Sequence, residues 1–263
     1  MRNRSTQSSF GVGVKTPEEI LKMRRAGKIL AQTLAQLVGF AQEGITLLDL
    51  DDLARGIIQK AGGKPAFLGY APEGAKRPFG ATLCTSLNHV VVHGVPTRRR
   101  LQSGDLLKLD LGVNFEGYCA DAALTIGIGN ISRPASQLIQ ATRKALEAGI
   151  RRAFPGNTLG DIGFAVSTTA AEHGFKVVKG LTGHGIGQAV HEEPVVANEG
   201  RPGKGLALES GMTLAIEPML SAGASKVVQL DDDSYATADG SLSAHFEHTI
   251  VITEKGAEVL TML

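Results

Sequence analysis

LLKLDLGVNFEGYCADAALTIGIG runs from Leu106 to Gly129 and carries the strongest strand signal in the chain. Apolar residues alternate with others on both sides of Asn114-Phe115-Glu116-Gly117, a turn-forming cluster, so the segment reads as a β-hairpin. A turn centred between Phe115 and Glu116 sets Asp110 directly opposite Asp121 on one side of the sheet, with Cβ atoms roughly 5 Å apart. Leu107, Leu109, Leu111, Ala123 and Leu124 flank them. Two carboxylates that close in a half-buried site repel strongly, and a divalent cation between them is the economical remedy. On the hairpin alone, two solvated aspartates on an exposed face would serve as well.

Working outward, helix signals precede the hairpin and follow it. Thr16-Pro17-Glu18-Glu19 combines a capping threonine, a first-turn proline and a capping-box glutamate, ahead of apolar Ile20, Met23, Ile29, Leu30, Leu34 and Leu37. Thr46 opens a second helix that ends at Gly62-Gly63. A third starts near Pro134 and runs toward Pro155-Gly156, and a fourth lies between Thr158 and His173-Gly174. Between the second helix and the hairpin, residues 65 to 96 read as loop and strand, including APEGAKRPFGA and a β-branched run that ends at His93-Gly94.

The second half repeats the first. G-x-T-L-x-D-L at Gly44 to Leu50 returns as G-x-T-L-x-D-I at Gly156 to Ile162, and SGDLLKLD at Ser103 to Asp110 returns as SGMTLAIE at Ser210 to Glu217. VHGVP at Val92 to Pro96 has a looser echo in VHEEP at Val190 to Pro194. Similarities in one order at nearly constant offset indicate an internal duplication. The expected architecture is α+β, with two pseudo-twofold halves, about residues 14–130 and 131–263, and helices covering one face of a joined sheet. Near such an axis the carboxylate of Asp110 should meet that of Glu217.

Glu217 sits in TLAIEPML and Glu247 in AHFEHTIVI, both strand-like and apolar, where an unpaired charge would cost several kcal/mol. With Asp110 and Asp121 they make four carboxylates, enough to require two divalent ions rather than one. One imidazole would shift preference from Mg or Ca toward Mn, Fe, Co or Zn, and His184 in LTGHGIG, between two glycines, is the best candidate. A lone histidine in such a setting is more often structural. His93 and His191 each follow a short apolar run, a way to aim a polar tip into a cleft or simply to end a strand, whereas His89, His173, His245 and His248 have weaker contexts. The HEEP run lacks the second histidine of the helical H-E-x-x-H zinc motif, so Glu192 and Glu193 read as outer or surface groups. Two ions sharing an oxygen ligand bring the pKa of water toward neutrality, so the reaction class is metal-assisted hydrolysis.

Composition bounds the alternatives. With 263 residues and 43% hydrophobic content the chain can bury a large core, and 27 basic against 26 acidic residues give no global pull toward nucleic acid or membrane. Cys84 and Cys119 show no metal-type spacing, and no apolar run could span a bilayer. These features fit a cytoplasmic protein with a flexible N-terminal tail at residues 1–13 and one catalytic domain over 14–263.

HGVP, KLDLGVNFEGYCAD, GHGIG, HEEP, IEPM and SLSAHFEHT, in this order and spacing, closely resemble type I methionine aminopeptidases, a peptidase family with the pita-bread fold. The resemblance runs from about Lys15 to Leu263. It implies two divalent ions (Co2+, Mn2+, Fe2+ or Zn2+) held by Asp110, Asp121, His184, Glu217 and Glu247, with Asp110 and Glu247 bridging. It also implies Glu217 as the base for the attacking water, His191 on the scissile peptide group and developing oxyanion, and His93 on the substrate backbone or leaving nitrogen. The methionine pocket would include Tyr70, Phe79 and Cys84. The implied substrates are nascent polypeptide N-termini with a small second residue, and the resemblance implies a monomer in transient association with the ribosome, without a dedicated element for it. APEGAKRPFGA is longer than the family's loop by roughly seven residues, the chain has no tryptophan where the family commonly has one, and Val190 replaces a bulkier side chain. Two rivals are a pita-bread hydrolase of X-Pro peptides or a small metabolite, and a non-catalytic pita-bread binding protein.

Overall fold

The hairpin forms in the computed structural model, which describes residues 13–71 and 77–262. Strands Leu106–Phe115 and Tyr118–Gly127 pair antiparallel around a two-residue Glu116-Gly117 turn. Both turn residues have positive φ, 51° and 85°, as a tight turn matched to strand twist requires. The turn centre therefore lies one residue later than the sequence suggests, which corrects the expected register. Asp110 faces Ala123 and Asp121 faces Gly112, so the two aspartates share a face as diagonal neighbours rather than direct opposites.

The opposite face is apolar. Leu107, Leu109, Leu111, Val113, Ala120 and Ala122 pack against helices α1 (Pro17–Phe40) and α2 (Leu47–Lys60) through Leu30, Leu34, Leu37, Leu50 and Ile58. The Thr16 capping box forms as read, Thr16 and Glu19 bonding reciprocally at 3.3 and 2.7 Å, and Thr46 caps the second helix through the same reciprocal pattern with Asp49, at 3.1 and 2.9 Å. In the second half α3 (Arg133–Ile150) and α4 (Leu159–Glu172) cover a five-stranded sheet containing Thr213–Ile216 and His248–Thr253. α3 stops short of Pro155-Gly156 because its last turn tightens, with Arg152 N donating to Gly149 O and Ala153 N to Ile150 O. No helix among the described residues is long and apolar enough to cross a membrane. The expected tail at residues 1–13 lies outside the described residues except for Gly13.

The duplication is visible bond by bond. Gly44, Leu47 and Leu101 hydrogen-bond as Gly44 N to Leu101 O, Leu47 N to Arg99 O and Leu101 N to Ile45 O. Gly156, Leu159 and Leu208 make the same three bonds with Leu208, Leu206 and Asn157. Isolated bridges join Thr46 to Arg100 and Thr158 to Ala207, each ten residues before the acidic residue that ends the repeat.

Two threonines sew the halves together. Thr249 Oγ1 accepts from Asp121 N and donates to Asp121 O, both at 2.8 Å. Thr125 Oγ1 accepts from His245 N at 2.9 Å and donates to His245 O at 2.7 Å. Between these clamps Glu247 N donates to Ala123 O. Asp121, His245 and Glu247 are thus held by their backbones at the seam. Thr249→Val removes the hydroxyl at a fully buried position and leaves both polar groups of Asp121 unpaired, a loss of about 1–3 kcal/mol. The thermal midpoint of the metal-free protein should fall by several degrees, while Thr249→Ser stays near the parent; equal midpoints for parent and valine variant would contradict the clamp.

Candidate metal centre

His184 is presented by the short strand Gly183–Gly185, squeezed between its neighbours. A Cβ on Gly183 or Gly185 would collide with the carbonyl oxygens of Ala215 and Glu193, so the flanking glycines are required by close backbone approach. His184 Nδ1 lies 2.9 Å from Gly185 O, which fixes the proton there and leaves Nε2 free. Nε2 is 3.4 Å from Glu217 Oε1 and 4.0 Å from Glu247 Oε1. Pro218 interrupts the strand after Ile216, and Glu217 sits in that break, its carbonyl held by Asn198 Nδ2 at 3.0 Å.

The structure brings the five predicted ligands together. Ligand atoms of Asp121, His184 and Glu247 lie within 4.8 Å of one another, and so do those of Glu217, His245 and Glu247, with Glu247 common to both groups. Asp110 shares the face of Asp121 and stands opposite Cys84 on strand Leu83–Leu87. Its carboxyl is pushed up to about 7 by burial, with Glu217 adding repulsion. Burial, and for Asp121 and Glu247 the charge of their acidic neighbours, drives the carboxyls of Asp121, Glu217 and Glu247 well above the ordinary range. Burial lowers His184 to about 3, so its imidazole is neutral and able to coordinate. The same burial and the surrounding carboxylates hold the Cys84 thiol protonated, as a wall rather than a ligand.

The donors fit a divalent cation on a structural test. Six buried side-chain polar atoms lack a hydrogen-bond partner among the described residues, and five belong to this cluster: Asp110 Oδ1, Asp121 Oδ1, Glu247 Oε1 and both ring nitrogens of His245. Orphaned buried acceptors at this density are costly without an ion. The nearest buried ammonium does not serve, since Lys108 Nζ donates to Asn88 O, Ser243 O and Ser243 Oγ, all neutral oxygens.

The remaining predicted residues fall into two groups, polar side chains near His184 and an apolar cluster. The ring of His191 lies 4.3 Å from that of His184 between centroids, and Tyr70 Oη lies 2.6 Å from His191 Nδ1. His93 has a left-handed backbone, φ 61°, and its ring lies 5.9 Å from that of Tyr235; burial, then the neighbouring His191 and His245, lowers it to about 4. Phe79 and Cys84 pack in one apolar cluster with Met23, Phe67, Ile186 and Val190. Gly69 N donates to Phe79 O and Phe79 N to Tyr70 O, which pairs the described ends of the long loop; its residues 72–76 lie outside the described residues. Glu192 is tied to Lys15 at 2.7 Å, in keeping with an outer role. On the exposed loop before the hairpin, Arg99 pairs with Asp105 and Arg100 donates to the Gly44 carbonyl. His245, whose sequence context is weak, and the Tyr70 hydroxyl, expected only in the pocket lining, join the site through tertiary packing alone.

The titrating groups give the metal-free protein an unusual pH response. Above pH 7 the histidines, lowered in the folded chain, are largely neutral in both states and contribute little. The four carboxyls release their protons at lower pH when unfolded, so the folded chain binds more protons and stability falls as pH rises. Lys108, lowered by burial, acts in the opposite direction as one group against four. Thermal melts of chelated protein should therefore decline from pH 7 to 8.5, and added Mn2+ or Zn2+ should reverse the trend; a flat profile without metal would mean the carboxyls ionise normally.

Comparison with known proteins agrees with this geometry. The model of metallopeptidase family M24 matches residues 21–254. The chain is 44% identical over 251 residues to a methionine aminopeptidase of Clostridium perfringens, covering 95% of this chain and 98% of that one. The crystal structure of methionine aminopeptidase from Rickettsia prowazekii superposes with a TM-score of 0.91 at 38% identity, over 95% of this chain and all of that one. Prolidase from Pyrococcus furiosus shares the fold alone, with a TM-score of 0.77 at 23% identity over 95% of this chain and 65% of its own. With two duplicated halves, an antiparallel sheet and helices on one face, the chain has the pita-bread fold and belongs to metallopeptidase family M24.

Proposed function

We propose that this metallopeptidase is a methionyl aminopeptidase, hydrolysing the bond after the N-terminal methionine of nascent polypeptides whose second residue is small. The observation that carries the reading is the convergence of three buried carboxyls, the largely buried Glu217 and His184, with the hydrogen-bonded His191–Tyr70 pair beside them. Asp110, Asp121, His184, Glu217 and Glu247 would hold two divalent ions, Co2+, Mn2+, Fe2+ or Zn2+, which supply Lewis acidity and a water acidic enough to be a nucleophile near neutral pH. The work is placed in one domain over residues 14–263, acting as a cytoplasmic monomer with at most transient contact with the ribosome.

The chain's own residues then have distinct tasks. Glu217, turned out of its strand by the Pro218 break, receives the proton of the attacking water. Burial raises the pKa of Tyr70 and lowers that of His191, so a protonated phenol donates to a neutral imidazole at Nδ1. Nε2 then carries the proton and points it at the oxygen that gains charge in the transition state. His93, in its strained backbone conformation, positions the substrate backbone or leaving nitrogen. Tyr70, Phe79 and Cys84, with Phe67 and Val190 alongside, form the apolar wall that receives the flexible thioether. A tight space beyond the scissile bond would exclude larger second residues, because overpacking costs about 1–3 kcal/mol.

Chelated protein should release no methionine from Met-Gly or Met-Ala peptides and recover when Mn2+, Fe2+, Co2+ or Zn2+ is restored, whereas an Ala-Pro peptide should remain intact. Cleavage of Ala-Pro alone would favour a proline peptidase. Asp110→Asn or His184→Ala should abolish the metal-dependent turnover. For His191→Ala, turnover should drop about 100- to 1000-fold with metal content retained, and Tyr70→Phe should give a smaller fall of the same kind; loss of metal from either variant would contradict the oxyanion assignment.

A further inference from the structure

His245 has no task in the mechanism above, yet it is the most completely enclosed histidine of the centre, with 1% of its surface exposed. Its backbone cannot drift, because Thr125 clamps both its N–H and its carbonyl, and Met219 faces it on the neighbouring strand. The seam sets His245 and Glu247, two residues apart, on the same face as Asp121. Its Nε2 is 3.4 Å from Glu217 Oε2, in a geometry that makes no hydrogen bond, and Nδ1 also has no protein partner. A fully buried imidazole with two unused nitrogens, aimed at a carboxylate pair, is an incomplete structure by hydrogen-bond accounting. The donor atoms of Glu217, His245 and Glu247 lie within 4.8 Å of one another, a span that one ion can bridge with small side-chain adjustment, since Zn–N and Zn–O bonds run about 2.0–2.2 Å.

We propose that His245 is a sixth metal ligand, supplying a second imidazole to the ion that Glu217 and Glu247 hold. The inference rests on reading the centre as dinuclear. Glu217 stands between two imidazoles, His184 Nε2 at 3.4 Å from its Oε1 and His245 Nε2 at 3.4 Å from its Oε2, with Glu247 common to both donor groups. An added nitrogen strengthens binding of later ions such as Co2+ and Zn2+ more than that of Mn2+, so His245 biases which metal the centre retains.

Two measurements test this. Chelated parent protein and His245→Gln, which keeps a polar side chain of similar reach with a poorer donor, would be titrated with Co2+, Zn2+ and Mn2+ by calorimetry, with the visible Co2+ spectrum recorded. The variant should bind one of its two Co2+ or Zn2+ ions at least about tenfold more weakly, with an altered spectrum and a smaller change for Mn2+. X-ray absorption on di-zinc parent protein, which needs no variant, should count an average of one imidazole per zinc. Unchanged affinities and spectrum in His245→Gln, or half an imidazole per zinc, would overturn the assignment of His245 while leaving the centre intact. Failure of the parent to bind any of the three ions would instead overturn the metal-centre reading beneath it.

Discussion

Mutual repulsion among four buried carboxyl groups is the constraint on which this structure turns. Asp110 and Asp121 come from the two strands of the hairpin, Glu217 and Glu247 from breaks between strands, and the fold leaves them little water: Glu247 is 2% exposed, Asp121 3% and the Glu217 side chain 12%. A chain free to relax would splay them apart. Here the hairpin ladder, the Pro218 break and the two threonine clamps fix the backbones, so relief has to come from protons or from cations. Protons are the weaker remedy near neutral pH, and a divalent ion competes for the same oxygens.

The duplicated architecture explains how such a cluster can be built. Each half contributes a helix pair that buries the back of its sheet and an acidic residue at the same point of the repeat, Asp110 in one and Glu217 in the other. The matching bonds around Gly44 and Gly156 show that the helix-to-helix turn has kept its geometry against the segment leading to the acidic residue in both copies. Joining the sheets by the seam between Tyr118–Gly127 and Ser243–Thr253 then brings the acidic faces together at the centre, with the helices outside. Function depends on that seam as directly as on the ligands, because it sets the backbone positions of Asp121, His245 and Glu247.

Much of this was legible in the chain itself. The capping box at Thr16, the helix start at Thr46, the alternation around Asp110 and the repeated G-x-T-L-x-D signal carry local and duplicated physics, and each formed as read. The hairpin register failed by one position at the turn because Glu116 takes a left-handed conformation that its residue type does not advertise. His245 was passed over for a different reason: its neighbours in sequence are ordinary strand residues, and its meaning comes from Glu217 and from Thr125, 120 residues away. The Tyr70–His191 hydrogen bond, spanning 121 residues and flanked by a long loop, likewise leaves no local trace. Backbone patterns report elements and faces, whereas a side chain's partner across a seam is decided by tertiary packing.

The direct test of the central idea counts ions and protons together. Chelated protein would be titrated with Zn2+ at pH 7 in two buffers of different ionisation enthalpy, so that heat yields both the stoichiometry and the protons displaced. Uptake of two ions per chain with net proton release is the expected result, because carboxyls held protonated by burial and repulsion must ionise to coordinate. No uptake, or uptake without proton release, would show that the four carboxyls are not the mutually strained ligands of a metal centre.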